Sequence, residues 1–220
     1  GTMEEGWLSG YIQDYDGQAL TLIVPFSDSE YIKTHSVTEC SVRVEDGRRI
    51  SAVQRRKVYA LIRDIADWTG YEPQELKELM KYDFISQQED GTQYFSLSDA
   101  DMTTARNFIT HLIDFCVTNA IPCKVSLLEQ CEDIEKYLYA CVANRRCAVC
   151  GKKADIHEVE RVGMGRDRRK MHHLGQLVEP LCRQHHQEVD QMGQKSFDEK
   201  YHLQGIRLDE QLCKILKWRK

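Results

Sequence analysis

Cys147-Ala-Val-Cys150-Gly151 and, about thirty residues on, Pro180-Leu-Cys182-Arg-Gln-His185-His186 decide how this chain of 220 residues is read. Two thiols two residues apart, with a glycine that lets the backbone turn beneath them, are the near half of a metal knuckle. Cys182 and His185 repeat the same spacing. Together Cys147, Cys150, Cys182 and His185 predict a closed Cys3His tetrahedron, the coordination of a structural zinc ion. The competing reading leaves Cys182 as a core hydrophobe and His185 on a helix surface. The other six of the nine cysteines, Cys40, Cys116, Cys123, Cys131, Cys141 and Cys213, are scattered. An odd count, with no basic and apolar leader at the start, predicts a reducing cytoplasmic setting and metal binding, not disulfides.

Between the knuckles, Ala154-Asp-Ile-His-Glu-Val-Glu160 predicts a strand. Gly163-Met-Gly165 and the basic run Arg166-Asp-Arg-Arg-Lys170 follow, then Met171-His-His-Leu-Gly175. Residues 181–190 are expected to be helical, which places His186 and Asp190 one turn apart on a single face, able to grip one cation. His185 and His186 are then about 100° apart around the axis, so each can serve a different site. Six of the eight histidines lie from His157 onward.

This pattern resembles the HNH nuclease motif of the ββα-metal fold: C-x-x-C, a strand with a histidine, a glycine-rich basic loop, then L-C-x-x-H-H-x-x-x-D. It looks most like the HNH endonucleases of bacteriophages and prophages and their recombination-associated relatives. Val162-Gly-Met-Gly-Arg166 and Pro180-Leu-Cys-Arg-Gln-His-His186 carry the likeness. It covers residues 147–193 firmly, and 52–64 and 95–113 more loosely. The resemblance implies a divalent-metal-dependent hydrolase of DNA phosphodiester bonds. It makes His157 the general base and His186 and Asp190 the ligands of a catalytic Mg2+ or Mn2+. Two departures stand out. His157 is followed by Glu158, so His157 can instead be a ligand with Glu158 contributing. The asparagine expected between strand and helix is missing, and His173 or Gln176 is nearest to its place, with His172 able to trade roles with His173. Arg161, Arg166, Arg168, Arg169 and Lys170 would line the phosphate backbone, adding affinity without sequence information; a merely solvated loop is the plainer alternative. A zinc-stabilised nucleic-acid-binding module without catalysis is the alternative function.

Charge divides the chain at the same place. Residues 145–220 carry a net +6 and residues 1–144 a net −11, within an overall −5. A basic end behind an acidic body suits a polyanionic partner at the basic end. Ahead of it, Asp16-Gly17 marks a turn before the β-type run Ala19-Leu-Thr-Leu-Ile-Val-Pro-Phe26, and residues 41–45 alternate as a further strand. Four helices are then expected. The first has a capping box at Ser51 and Gln54, an apolar face from Val58 to Trp68, and a stop at Gly70. The second starts at Pro73 and buries Leu76, Leu79 and Met80. The third is capped by Ser98 or Asp99, and the fourth runs unbroken from Leu127 to Cys141. His111 has no evident partner. The fold class expected is α+β: a small N-terminal sheet (1–50), a helical region (51–144) and a zinc-stabilised ββα-metal domain (145–220). Residues 1–144 would dock DNA or phage or host recombination and replication proteins. With apolar stretches as short as residues 20–24, no membrane partner is expected.

Overall fold

Alternating apolar residues on either side of Asp16-Gly17 make a hairpin of β1 (Tyr11–Tyr15) and β2 (Leu20–Ile23), antiparallel, with a bulge between Ile12 and Asp14. Gly17 sits at φ 95°, and the Asp16 carboxylate accepts from the Gln18 and Ala19 amides at 2.8 Å each. Those amides, Ala19 foremost, hold the Asp16 carboxyl below the usual carboxylate range. A short helix, α1 (Ser29–His35), follows where only strands and turns were expected. In this computed structural model, residues 10–26, 29–36, 38, 40, 42, 48–88, 92–159 and 173–218 are described. The strand expected over 41–45 falls, apart from Val42, outside them. Two compact units result, Gly1–Glu45 and Asp46–Lys220.

In the second unit, α2 (Ala52–Thr69) has the expected capping box and ends at Gly70, φ 83°. It packs with α3 (Pro73–Ser86) and α4 (Met102–Thr118) around Leu61, Ile65, Phe84, Phe108 and Leu112. Trp68 and Leu79 fit the apolar period but are exposed, at the edge of the packed stripe. The cap of α4 is Asp101, not Ser98 or Asp99: its carboxylate accepts from the Thr104 amide at 2.8 Å. The helix expected from Leu127 to Cys141 is two, α5 (Leu127–Gln130) and α6 (Ile134–Ala143). Glu132 is drawn across to α2, accepting from Gln54 Nε2 at 2.9 Å and Lys57 Nζ at 3.1 Å, while Asp133 caps α6. Cys116 and Cys141 are buried within this core, as their place in the apolar stripes implies.

Residues 145–218 close on α6. An antiparallel sheet in the order β3 (Asp155–Glu158), β4 (Leu177–Leu181), β5 (Ile206–Arg207) has α7 (Arg183–Met192) and α8 (Gln194–Tyr201) after β4, and α9 (Glu210–Leu216) after β5. The register pairs Ile156 with Pro180, His157 with Glu179 and Glu158 with Val178. Directly opposed residues share a sheet face. Ile156 and Val178 therefore look towards a cluster formed with Val142, Leu208, Leu212 and Leu216. His157, Glu179 and Leu181 look the other way, where Leu181 joins Val189 and Phe197 in the main core. That second face positions the site. The chain is α+β, and among the described residues no helix is long and apolar enough to cross a membrane.

Candidate metal and histidine site

The first knuckle is a tight hairpin. Cys147 N donates to Lys152 O at 2.7 Å, Gly151 N to Cys147 O at 2.8 Å, and Ala148 N to Pro180 O at 2.9 Å, which fastens the loop to β4. Gly151 takes φ 70°, a left-handed turn that folds Cys150 back over Cys147. Cys182 is the N-cap of α7, and His185 lies one turn inside.

These four side chains converge, with all donor atoms within 4.8 Å of one another. Cys150 Sγ is 3.7 Å from Cys182 Sγ, and His185 Nδ1 is 3.3 Å from Cys147 Sγ and 3.2 Å from Cys182 Sγ. A tetrahedral zinc with Zn–S of ~2.3 Å and Zn–N of ~2.0 Å needs edges of about 3.8 and 3.5 Å, so the donors fit the ion. Among the described residues this is the one group of three or more His, Cys, Asp or Glu donors that converges in this way. Burial pushes the Cys147 thiol up to about 12. Cys182 is also raised by burial, but the His185 amide and the Cys150 and Cys147 side chains outweigh it, and its net shift is downward. Burial lowers His185, keeping the imidazole neutral and able to ligate. Behind the cluster, the Tyr201 ring lies 5.7 Å from His185, and its hydroxyl donates to Glu188.

A second arrangement lies on the same helix. The His186 ring meets the His157 ring edge-on, with centroids 4.6 Å apart. His186 Nδ1 is 3.8 Å from Asp190 Oδ2, and both side chains are about half exposed. His157 is 8% exposed, and its Nε2 lies 3.0 Å from Gln194 Oε1. Gln194 Nε2 donates in turn to Glu179 Oε2 at 3.0 Å and Asp198 Oδ1 at 2.7 Å. Glu179 is fully buried, and burial pushes its carboxyl up to about 7.

The remaining expected residues are placed elsewhere. Glu158 is on the opposite sheet face from His157 by strand alternation. His173 Nδ1 is 3.0 Å from Gln176 Oε1, and its ring stacks 4.7 Å from Trp218. Arg161, Arg166, Arg168, Arg169, Lys170 and His172 lie outside the described residues. Sequence reasoning missed Glu179, Gln194 and Asp198. A signal for the first was present: a lone carboxylate inside the apolar strand Leu177-Val-Glu-Pro-Leu181.

Two antiparallel strands running into a helix, with a cysteine cluster at one end and a histidine pair between strand and helix, define a ββα nuclease-type module. Residues 25–219 match the family model HNHc_6, described as "Putative HNHc nuclease", and the chain belongs to that HNH nuclease family. No curated protein and no solved structure matches the chain significantly.

Proposed function

We propose that this protein is a divalent-metal-dependent endonuclease that hydrolyses DNA phosphodiester bonds, with its structural zinc held apart from the chemistry. The observation that carries the reading is the meeting of His157 and His186 at 4.6 Å, beside the His186–Asp190 pair and separate from the Cys3His donors. A zinc-stabilised binding module needs the four donors alone. It has no use for a buried strand histidine set against a half-exposed helix histidine.

In this reading His157 takes a proton from water, a task suited to a neutral imidazole near pH 7. His186 and Asp190 hold a Mg2+ or Mn2+ ion; an imidazole and a carboxylate on one helix face form a donor set such ions accept. When bound, that ion supplies Lewis-acid stabilisation to the charge developing on the phosphate. Glu158 and His173 take supporting parts, Glu158 as the substitute base should His157 ligate. Arg161, Arg166, Arg168, Arg169 and Lys170 contact the phosphate backbone, and residues 1–144 dock DNA or the recombination and replication proteins of a phage or its host.

The test is supercoiled plasmid incubated with zinc-loaded protein and Mg2+ or Mn2+, against an EDTA control. Nicked or linear product that depends on the added ion supports the reading. Plasmid retained in a gel shift but never cut would favour the binding module.

A further inference from the structure

His157 meets a partner whose own orientation is fixed. Gln194 opens α8 directly after Gly193, whose φ 82° and ψ 149° form a combination open essentially to glycine. This turn sets the Gln194 side chain between two strands and its own helix. Its Nε2 faces Glu179 Oε2 and Asp198 Oδ1, at 3.0 and 2.7 Å. A primary amide offers two N–H donors on one side and one acceptor oxygen on the other. Turning it over would lose both hydrogen bonds and set its oxygen against two carboxylate oxygens, one of them on the fully buried Glu179. So Nε2 stays with the carboxylates and Oε1 stays with His157, 3.0 Å from the ring Nε2. An amide oxygen only accepts. The hydrogen of the neutral ring is therefore on Nε2, and the lone pair is on Nδ1.

We propose that Gln194 is a positioning residue which, oriented by Glu179 and Asp198, locks His157 in its Nε2–H tautomer and makes Nδ1 the atom that takes a proton from the attacking water. The second half rests on the nuclease reading; the tautomer does not. Water gives its proton to Nδ1 while its oxygen forms the new bond to phosphorus. A P–O bond breaks, and the departing oxygen takes a proton from solvent. The ring becomes an imidazolium with N–H at both nitrogens, its charge one amide away from Glu179 and Asp198, and returns to neutral by releasing the Nδ1 proton to solvent. A histidine partner that fixes the tautomer sets how much of the ring is in the reactive form, and losing such a partner costs about 10–100-fold.

The experiment is long-range 1H–15N correlation spectroscopy on the full zinc-loaded chain labelled with 15N-histidine, at a pH where the ring is neutral. Wild type should show His157 as one tautomer, protonated at Nε2. In Glu179→Gln/Asp198→Asn the amide is free to turn over, so both tautomers should appear, and kcat for plasmid cleavage should fall at least about tenfold with KM unchanged. Gln194→Met, which keeps the length and removes the acceptor, should do the same and serves if the double variant loses its zinc. A His157 protonated at Nδ1 in wild type, or variants that keep both the tautomer and kcat, would overturn the proposal. A wild-type chain that shows the Nε2–H tautomer but cuts no DNA with any divalent ion would overturn the catalytic half and the nuclease reading together, leaving the lock itself established.

Discussion

His185 and His186 are neighbours on one helix, yet they take part in opposite arrangements. His185 is buried and turns Nδ1 into a set of three sulfurs, a geometry that satisfies four-coordinate zinc and leaves no open position. His186 is half exposed and faces a ring and a carboxylate, a geometry that leaves room for water and substrate. The difference shows how a small module separates stability from chemistry. One closed ion fastens the hairpin at Cys147 to the start of α7, so the rigid helix can present a second histidine to the strand. An outer layer of hydrogen bonds, from Gln194 to Glu179 and Asp198, then fixes what that strand histidine can do.

The contrast can be broken most forcefully at the closed site. Cys147→Ser should destabilise the fold by about 4 kcal/mol or more, the range reached when a structural metal is lost. For a chain of this size that lowers Tm by roughly 8–16 °C. Zinc analysis of the same sample should fall below one ion per chain, and an unchanged melting curve in metal-free protein would contradict it. Asp190→Ala should instead leave zinc content and Tm near wild type. It should slow cleavage about 10–100-fold, with excess Mn2+ restoring part of the rate, because it weakens an open and exchangeable site.

Smaller effects sharpen the comparison. Glu179 has its folded carboxyl raised to about 7 by burial, above its unfolded value. The folded state therefore binds the extra proton: its contribution to stability is full below the unfolded value and is lost as pH rises towards 7. Thermal melts of wild type and Glu179→Gln should diverge as pH rises from 5 to 7, wild type losing ground, and parallel curves would remove the buried carboxylate from the account. Smallest is the basic loop. Each phosphate contact removed, by Arg168→Ala or Lys170→Ala, should flatten the plot of log affinity against log salt by about 0.9 without altering sequence preference.

What the sequence made legible was whatever depends on short spacing. The four zinc donors, the Ser51 capping box and the Gly70 stop are each read within a few residues. What it hid depends on distant partners. His111 meets Asp83 Oδ2 at 2.9 Å from another helix. The break before α6 exists because Glu132 reaches back to Gln54 and Lys57. Gln194 stands 37 positions from the histidine it contacts, and as a lone glutamine at the start of a helix it has no pattern to betray it. Trp68 and Leu79 show the converse: apolar periodicity marks a stripe but not where its packed part ends.

The central claim is that zinc and chemistry are held by different side chains of one module. It is tested most directly by His157→Ala, with zinc stoichiometry and metal-dependent plasmid cleavage measured on the same preparation. His157 supplies no zinc donor. The account predicts one zinc per chain, as in wild type, and a cleavage rate lower by about 10²–10⁴-fold that excess Mn2+ does not restore. Cleavage at the wild-type rate, or loss of zinc along with activity, would contradict it.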